Sequence, residues 1–437
     1  MAVGSKRISR REALKTAARC GPAVAFPMVV PASALGRGGA TPPSDRVTVG
    51  GLGIGNRGAY VLQSFLAQND VQFLAVCDVR DERREAIKSM VDQKYGNRDC
   101  AVYSDQYEIW ARKDIDALLI ATGDRWHAPL AIMSARAGKD VYCEKPCSMT
   151  IEQSRALADT FLRLGRIYQA GTQRRDGHNC IKVYELLKSG KLGKLQTLHA
   201  EAGPGDRWPP LTRHDWLPAE PEPPKQVCDW DRWLGPSPWR PYNSEYVKGR
   251  WRGYFDFHGG GILEWGSHTV DLCQWAGGLD DTSPVEYEPE GMGSDTPYTI
   301  RCRYANGVKL VIRDKGFLGL GSCHFRVEGD AGWAETADGG KVVVSENLRG
   351  ERFEPAPDTF KNTTTNHVRN FIDCVKSRKQ PSSNALAACQ AHITCHAAYI
   401  AFQLGRKLRF DPATDTFIGD DEANRMRSRA MREPWRL

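Results

Sequence analysis

The sequence predicts an α/β protein with an N-terminal doubly wound parallel sheet and a C-terminal α+β domain whose open sheet is largely antiparallel. Three observations support this prediction. A glycine-rich turn near residue 53 lies between a buried strand and an amphipathic helix. Strands and helices then alternate up to about residue 170. Between residues 298 and 345, short segments alternate apolar and polar residues, as antiparallel strands with one exposed face do.

The length, composition and charge of the chain are those of a globular protein. Its 437 residues suffice for two domains, and 41% hydrophobic and 26% charged residues are typical of a globular protein. The net charge is +7, but most of the excess lies in the first 37 residues, and without them it is about +1. We therefore expect no nucleic-acid partner.

Residues 1–40 have the features of an export leader. Residues 9–15 read Ser-Arg-Arg-Glu-Ala-Leu-Lys, which resembles the twin-arginine motif, and Ala-Ser-Ala at 32–34 fits a cleavage site. The apolar stretch between them, residues 23–30, is too short to span a membrane, and we predict no membrane span elsewhere. The expected partner is the twin-arginine export machinery, and the expected location is the periplasm or another exported one. A disordered basic tail is the alternative.

The stretch from residue 47 to residue 78 has the order of a dinucleotide-binding unit. A buried strand at 47–52 precedes a Gly-x-Gly-x-x-Gly turn, a helix at 59–68 and a second strand at 71–76. The first glycine allows a tight turn, the second lets a pyrophosphate approach the backbone, and the third lets helix and strand pack closely. The predicted nucleotide contacts in this turn are Gly53, Gly55, Asn56, Arg57 and Gly58.

Asp78 ends the second strand, 20 residues after the third glycine. A carboxylate at this position binds the ribose hydroxyls of NAD and repels the 2′-phosphate of NADP. Arg80 could pair with that phosphate, so NADP remains the alternative cofactor. We predict an NAD-binding Rossmann domain over residues 45–170.

Lys145 follows the fifth predicted strand in the run Val-Tyr-Cys-Glu-Lys-Pro at residues 141–146. Proline cannot donate to a sheet ladder, so the strand ends there. Open parallel sheets collect ligands at the carboxyl ends of their strands, and Lys145 is therefore a candidate catalytic residue.

A second candidate cluster follows three glycines at residues 259–261. The stretch reads as a helix on which Glu264 and His268 are four residues apart, and His268 and Asp271 three apart. A carboxylate beside an imidazole orients it and raises its pKa, which suits a general base. A structural ion pair is the alternative.

Together these motifs resemble the Gfo/Idh/MocA oxidoreductase family. The matching residues are the glycine-rich turn at 53–58, Ala121-Thr122 followed by His127, the Glu144-Lys145-Pro146 step, and three glycines followed by an acid and a histidine. The resemblance implies that Thr122, His127 and Glu144 lie along the cofactor and that Lys145 contacts both nicotinamide ribose and substrate. The family usually has Asp where this chain has Glu264.

The second domain is predicted over residues 171–410, with a C-terminal arm or disordered tail at 411–437. A long loop rich in Pro, Trp and Arg, residues 203–250, is expected to form a lid or an oligomer arm. The predicted substrate contacts are Gln173, Arg174, Asp206, Arg207, Trp208 and Asp271. His392 and His396 have the spacing of zinc ligands, but no third ligand is evident, so we interpret them as a buried helix face and predict no metal.

Three functions remain open from the sequence. The first is an NAD-dependent dehydrogenase in which His268, oriented by Glu264, takes the proton of a sugar or polyol hydroxyl and Lys145 holds that oxygen. The second is a redox-neutral glycoside hydrolase or lyase that oxidises, eliminates and then reduces. The third is a non-catalytic sugar- or nucleotide-binding module. Because an exported enzyme has no evident means of recycling free NADH, we expect a tightly bound cofactor, which favours a redox-neutral cycle. We also expect a homo-oligomer, either dimer or tetramer.

Overall fold

The first sheet has six parallel strands in the order β3-β2-β1-β4-β5-β6. Its strands are β1 Val47–Leu52, β2 Val71–Cys77, β3 Ala101–Tyr103, β4 Ala117–Ile120, β5 Asp140–Cys143 and β6 Tyr168–Ala170. The order reverses between β1 and β4, so a crevice opens at their carboxyl ends, where ligands of such sheets bind. The computed structural model describes residues 41–203, 211–291, 297–350 and 360–437.

Helices on both faces of this sheet complete the doubly wound arrangement predicted from the sequence. They are α1 Asn56–Leu66, α2 Asp81–Tyr95, α3 Gln106–Ala111, α4 Asp124–Arg136 and α5 Ile151–Leu164. Thr150 accepts a hydrogen bond from the Gln153 N–H at 3.1 Å and so caps α5, as its position before an apolar run predicts. Each face has its own buried apolar cluster.

The second sheet has nine strands in the order β13-β12-β11-β7-β10-β9-β8-β14-β15. Neighbouring strands are antiparallel except β7 and β10, which run parallel. Its strands are β7 Leu195–Glu201, β8 Glu286–Glu290, β9 Thr299–Arg303, β10 Lys309–Arg313, β11 Phe325–Gly329, β12 Trp333–Thr336, β13 Val342–Val344, β14 Leu408–Asp411 and β15 Thr416–Phe417. The prediction of a largely antiparallel second sheet is confirmed.

Two long helices bring the second sheet and the candidate site together. The remaining helices are α6 His178–Lys188, α7 Trp230–Leu234, α8 Gly260–Gly277, α9 Phe360–Ser377, α10 Ala385–Leu404 and α11 Asp421–Arg425. Helix α8 is buried along most of its length between the sheet and α10. A Cβ at Gly266 would lie 3.1 Å from the Cys395 Sγ, so glycine is what permits this close approach of α8 and α10.

Residues 211–257, which we call the strap, cross from the second domain to the first sheet. The Asp229 N–H donates to the Val79 carbonyl at 3.1 Å, and the Asp81 N–H donates to the Val227 carbonyl at 3.2 Å. Arg80 Nη1 donates to the Val247 carbonyl at 2.6 Å. The strap therefore holds the segment that follows β2, beside the predicted ribose-binding residue.

The C-terminal residues 411–437 differ from the prediction of an arm or a disordered tail. They include β15 and α11, and Trp435 is only 5% exposed. The Trp435 ring packs edge-on against Trp126 of α4 at a centroid distance of 4.9 Å. The charged composition favoured a disordered tail, but Phe417, Ala423 and Trp435 are buried in apolar clusters and hold the segment in place. Within the described ranges, no helix is long and apolar enough to cross a membrane.

His392 and His396 lie on the buried face of α10, as interpreted from the sequence. His392 Nδ1 donates to the Ala388 carbonyl at 2.6 Å, and its Nε2 accepts from the Cys147 N–H at 3.0 Å. Both ring nitrogens are thus used in hydrogen bonds that require neutral imidazole. Burial lowers the pKa of His392 to about 4, and burial also lowers the pKa of His396 well below its usual value.

We expect the free energy of unfolding to decrease as the pH falls below 6.5. The folded-state pKa of His392 lies below its unfolded value, so the unfolded chain binds more protons and stability is lost on the acid side. His392 alone accounts for about 2 kcal/mol between pH 6.5 and pH 5. Urea denaturation at pH 7, 6 and 5 measures this, and His392→Gln should flatten the dependence by that amount. An unchanged slope in the variant would contradict the assignment.

Candidate active site

The glycine-rich turn opens a cleft at the carboxyl ends of β1 and β4. Gly53 has a φ of +64°, and a Cβ there would lie 2.1 Å from Thr122 Cγ2. A Cβ at Gly58 would lie 2.7 Å from the Ala121 Cβ, whereas a Cβ at Gly55 would meet no atom within 4 Å. Gly53 and Gly58 therefore permit close packing, and Gly55 leaves the backbone open to a ligand. This cradle fits a dinucleotide pyrophosphate at the N-terminus of α1.

Asp78 lies at the far end of this cleft, which has an empty volume of about 1150 Å³. Its Oδ1 accepts the Arg80 N–H at 3.0 Å. Arg83, also in the cleft lining, donates to the Asn56 Oδ1 at 2.8 Å. The strap adds Trp233 and other side chains to the opposite wall. The cleft thus combines an acid suited to ribose hydroxyls with arginines that suit a phosphate.

Thr122 marks the place where the nucleotide cleft meets a second pocket. It lines both, and its Oγ1 is buried with no hydrogen-bond partner among the described residues. The second pocket has an empty volume of about 750 Å³. We call it the substrate pocket; its lining residues are Arg57, Ala121, Thr122, Asp124, His127, Glu144, Lys145, Arg174, Arg252, Glu264, Trp265 and His268. An orphaned hydroxyl at this junction is suited to a bound cofactor.

His127 and Glu144 support the wall of the substrate pocket. The His127 ring is 3.2 Å from the Thr122 carbonyl and 2.7 Å from the Pro146 carbonyl. Glu144 accepts from Arg57 Nε at 3.1 Å and from Gln173 Nε2 at 2.9 Å. Their side chains bind protein groups and so fix the loop that carries Lys145. The cofactor contacts that the family resemblance implies for them stay a prediction.

Lys145 is held by the first turn of α8. Its Nζ donates to the Glu264 carbonyl at 2.9 Å and to the Glu264 Oε1 at 2.8 Å. The other carboxylate oxygen, Oε2, lies 3.1 Å from the Nε2 of His258. Burial would raise the pKa of Glu264, but the Lys145 ammonium, the His258 hydrogen bond and Arg252 hold it well below its usual value. Glu264 is therefore the charged partner of Lys145.

His268 lines the same pocket one turn further along α8, but Glu264 does not bind it. The predicted orientation of His268 by Glu264 is wrong, because the Glu264 carboxylate turns to Lys145 and His258. His268 is 4% exposed, and its Nδ1 has no hydrogen-bond partner in the described part of the chain. Burial, together with Arg174 and Lys145, lowers the pKa of His268 well below its usual value. A neutral imidazole that lines the pocket can accept a proton at neutral pH.

The predicted substrate contacts are not all in the pocket. Arg174 lines it, and its guanidinium pairs with both oxygens of Asp338 at 2.7 Å. Gln173 is 1% exposed and donates to Tyr142 and Glu144, so it acts behind the pocket wall.

Asp271 does not fit its predicted role as a substrate contact. It is 1% exposed, and both of its carboxylate oxygens accept from Arg175 at 2.7 Å. It is a buried ion-pair residue and not a pocket residue. Three further predicted contacts, Asp206, Arg207 and Trp208, lie outside the described residues.

Asp124, His258 and Glu264 form the one cluster in the described ranges with a spacing suited to a metal ion. Their candidate ligand atoms lie within 4.8 Å of one another, and all three residues are buried. However, the Nδ1 of His258 accepts backbone N–H groups from Gly253 at 3.2 Å and Gly260 at 3.1 Å. The proton of a neutral ring is then on Nε2, which donates to Glu264 and has no lone pair for a metal. The cluster fits a hydrogen-bonded network better than a metal site.

Two residues of this site were missed by reasoning from the sequence. His258 precedes the three glycines and Asp124 opens α4, and neither lies at a helical spacing from Glu264. An available signal was the acidic residue directly after Thr122-Gly123, at the carboxyl end of β4, where parallel sheets carry their active sites.

Models of known families match both halves of the chain. Residues 47–172 match the NAD-binding Rossmann fold of the oxidoreductase family Gfo/Idh/MocA, and residues 178–437 match the family's C-terminal alpha/beta domain. The chain belongs to the Gfo/Idh/MocA family. The family predicted from the residues is therefore confirmed, and with it an oxidoreductase-type fold with an NAD-binding Rossmann domain.

Relatives of this Gfo/Idh/MocA protein include glycoside hydrolases. It is 31% identical over 166 residues to an α-N-acetylgalactosaminidase of Shewanella oneidensis, covering 37% of this chain and 35% of the relative. It is 34% identical over 156 residues to a glycosyl hydrolase family 109 protein of Saccharopolyspora erythraea, covering 35% and 34%. The chain thus spans about one third of the length of these relatives.

Solved structures share the fold at low identity. The myo-inositol 2-dehydrogenase of Lactobacillus plantarum has a TM-score of 0.59 at 16% identity, with 84% of this chain and 100% of that chain covered. The WlbA dehydrogenase of Bordetella pertussis, in complex with NADH and UDP-GlcNAcA, has a TM-score of 0.60 at 17% identity, with 84% and 99% covered. These likenesses establish the shared architecture only.

Proposed function

We propose that this protein is an NAD-dependent enzyme that oxidises a hydroxyl group of a sugar, polyol or glycoside. The observation that carries the proposal is that Lys145 and the neutral His268 line one pocket, which meets the glycine-rich nucleotide cleft at Thr122. An ammonium and an imidazole are the pair that removal of a hydroxyl proton needs. A nicotinamide ring bound at the junction supplies the acceptor for the hydride.

Each side chain has a defined part in this chemistry. Lys145 donates a hydrogen bond to the reacting hydroxyl and stabilises negative charge that develops on its oxygen. His268, whose neutral ring lines the pocket, accepts the proton of that hydroxyl. Glu264 is a positioning residue, because its carboxylate and carbonyl both hold the Lys145 ammonium. His258 fixes Glu264 in turn.

We expect Asp78→Ala to weaken NAD binding by about 10–100-fold, because the variant loses charged hydrogen bonds to the ribose. NADP binding should not weaken, since the variant removes a negative charge beside Arg80 and Arg83. Fluorescence titration of both nucleotides, after removal of any bound one, measures the ratio. Asp99→Ala, an exposed carboxylate, is the control. Equal losses for both nucleotides would contradict a role in discriminating between them.

Redox-neutral cleavage of a glycoside is the second candidate function. The glycoside hydrolases among the relatives favour it, and so does the strap, whose hydrogen bonds beside Asp78 and whose residues in the cleft wall suit a cofactor that stays bound. Oxidation would acidify the neighbouring C–H bond, elimination and hydration would exchange the aglycone for water, and return of the hydride would end the cycle. No free NADH accumulates in such a cycle.

Product analysis separates these functions. The natively purified protein is incubated with a panel of free sugars, polyols and 4-nitrophenyl glycosides, while NADH absorbance, keto-sugar and nitrophenol are followed. Net NADH with a keto-sugar supports the dehydrogenase, whereas nitrophenol without net NADH supports the glycoside-cleaving enzyme. A protein that binds nucleotide but neither oxidises a substrate nor exchanges its deuterium with the cofactor would be a binding module.

Export by the twin-arginine route and assembly into a dimer or tetramer are part of the same proposal. A folded enzyme with a retained cofactor suits export in the folded state. Localisation of the full-length protein by cell fractionation, before and after Arg10 and Arg11 are both replaced by Lys, tests the route. Light scattering tests the assembly.

A further inference from the structure

Asp124 is an acidic residue of the substrate pocket that the proposed oxidation does not use. It lies in the first turn of α4, directly after Thr122 and Gly123, and it is 4% exposed. Its Oδ2 is buried and has no hydrogen-bond partner in the ranges that the structure describes. The residue lines the same pocket as Lys145 and His268. A buried carboxyl group that lines a substrate pocket and has an unpartnered oxygen calls for an explanation.

Burial and the nearby Glu264 both disfavour a charge on Asp124. Carboxylate oxygens of the two residues come within 4.8 Å, and two negative charges that close in a buried site oppose each other. Glu264 is the ionised member, because Lys145 and His258 bind it. Burial and the charge of Glu264 raise the pKa of Asp124. Two carboxyl groups whose pKa values are pushed apart are suited to separate acid and base roles.

The other charged and titratable groups around Asp124 come from several elements. His258 precedes α8, Arg252 belongs to the strap, and His127 follows on α4; each lowers the pKa of Asp124, against the larger effect of burial. The N-terminus of α4 also favours a carboxylate. On balance the pKa of Asp124 is raised, which favours the neutral acid more than at an exposed carboxyl group and leaves the carboxylate accessible during a reaction cycle.

We propose that Asp124 protonates the departing oxygen when this site cleaves a glycoside, and that its carboxylate then takes a proton from the incoming water. The proposal rests on the second candidate function above. Lys145 and His268 serve the hydroxyl that is oxidised, and Glu264 is occupied by Lys145 and His258. Glu144, the third acid of the pocket, is bound by Arg57 and Gln173. Asp124 therefore remains to protonate the aglycone oxygen as it leaves the anomeric carbon.

Elimination of the aglycone and the hydration that follows return every proton that they remove. The proton on the carbon next to the oxidised centre passes to water, and its electron pair forms a carbon–carbon double bond. The bond from the anomeric carbon to the aglycone oxygen breaks, and that oxygen takes the proton of Asp124. Water then adds to the anomeric carbon and returns a proton to Asp124, while solvent returns a proton to the neighbouring carbon. The sum is hydrolysis with no oxidant consumed.

Leaving-group dependence tests this role. Wild type and Asp124→Asn are compared on 4-nitrophenyl glycosides and on the corresponding methyl glycosides. Nitrophenolate departs without protonation, so release of nitrophenol in the first turnover should stay within about threefold of wild type. First-turnover release of methanol from methyl glycosides should fall by about 10²–10⁴-fold, the usual contribution of a general acid. In D₂O, wild type should place deuterium on the neighbouring carbon of both substrates.

The controls separate this role from a structural one. Asp159→Asn, an exposed carboxylate on α5, should behave as wild type on both substrates. Equal losses of Asp124→Asn on both classes of glycoside overturn the assignment while leaving the cleavage function intact. If the wild-type protein releases no aglycone from either class, the cleavage function fails and the role of Asp124 fails with it. Retained activity of the variant on methyl glycosides also overturns it.

Discussion

Lys145→Met is expected to reduce turnover by about 10²–10³-fold, the effect of removing one preorganised donor to a developing oxyanion. The methionine side chain has a similar length but cannot donate to the reacting oxygen. Glu264 keeps its hydrogen bond from His258, so the carboxylate is not left without a partner. Nucleotide binding should be retained, because the glycine-rich turn and Asp78 are untouched. Steady-state kinetics and nucleotide titration on the same preparation measure both effects.

The matched control for this variant is Lys182→Met. Lys182 lies on the exposed side of α6, where it pairs with Glu185 at 2.7 Å. Surface pairs of this kind contribute little, so turnover and stability should remain as in wild type. If Lys145→Met turns over at a near-normal rate, Lys145 has no part in the chemistry and the proposed site fails.

His268→Ala is expected to reduce turnover by about 10²–10⁴-fold, the usual contribution of a general base. Because the pKa of His268 is well below its usual value, the wild-type imidazole is neutral at pH 6 to 8. The acid limb of kcat/KM should therefore lie below pH 6.5 in wild type and disappear in the variant. Added imidazole should restore part of the activity, since the substitution leaves space for it.

A histidine on the surface, away from the pocket, provides the control. His178→Ala, at the exposed start of α6, should keep both the rate and the pH profile of wild type. An acid limb that survives in His268→Ala would show that another group accepts the proton. Loss of nucleotide binding in that variant would indicate a folding defect, which imidazole cannot rescue.

The sequence was enough to predict the fold and the two central residues. Lys145 ends a strand, and His268 lies on a helix after three glycines; both patterns are local, and the structure places both residues in one pocket. The partner of Glu264 was not predictable in the same way. A spacing of four residues shows that Glu264 and His268 share a helix face, but it does not reveal that Lys145 lies across from that face.

The positions of the strap and the C-terminal tail could not be predicted from the sequence for a different reason. Residues 211–257 have no helical or strand periodicity, and their position depends on backbone bonds such as the one from Asp229 to Val79. The tail is held by distant contacts, among them the packing of Phe417 in the core of the second domain and of the Trp435 ring on Trp126. Long-range contacts of this kind leave no trace in local hydrophobic patterns, because each involves a single pair of residues.

The backbone pairing of the strap with the segment after β2 has a thermodynamic consequence. Any ligand that fills the cleft between them contacts both sides. Ligand binding should therefore make local opening of the strap less favourable. Saturation with nucleotide should slow amide exchange at Asp81 and Asp229, and loosening of that pairing should accelerate nucleotide dissociation by the same free energy. The strap would then set how long the coenzyme stays bound, although it takes no part in the chemistry.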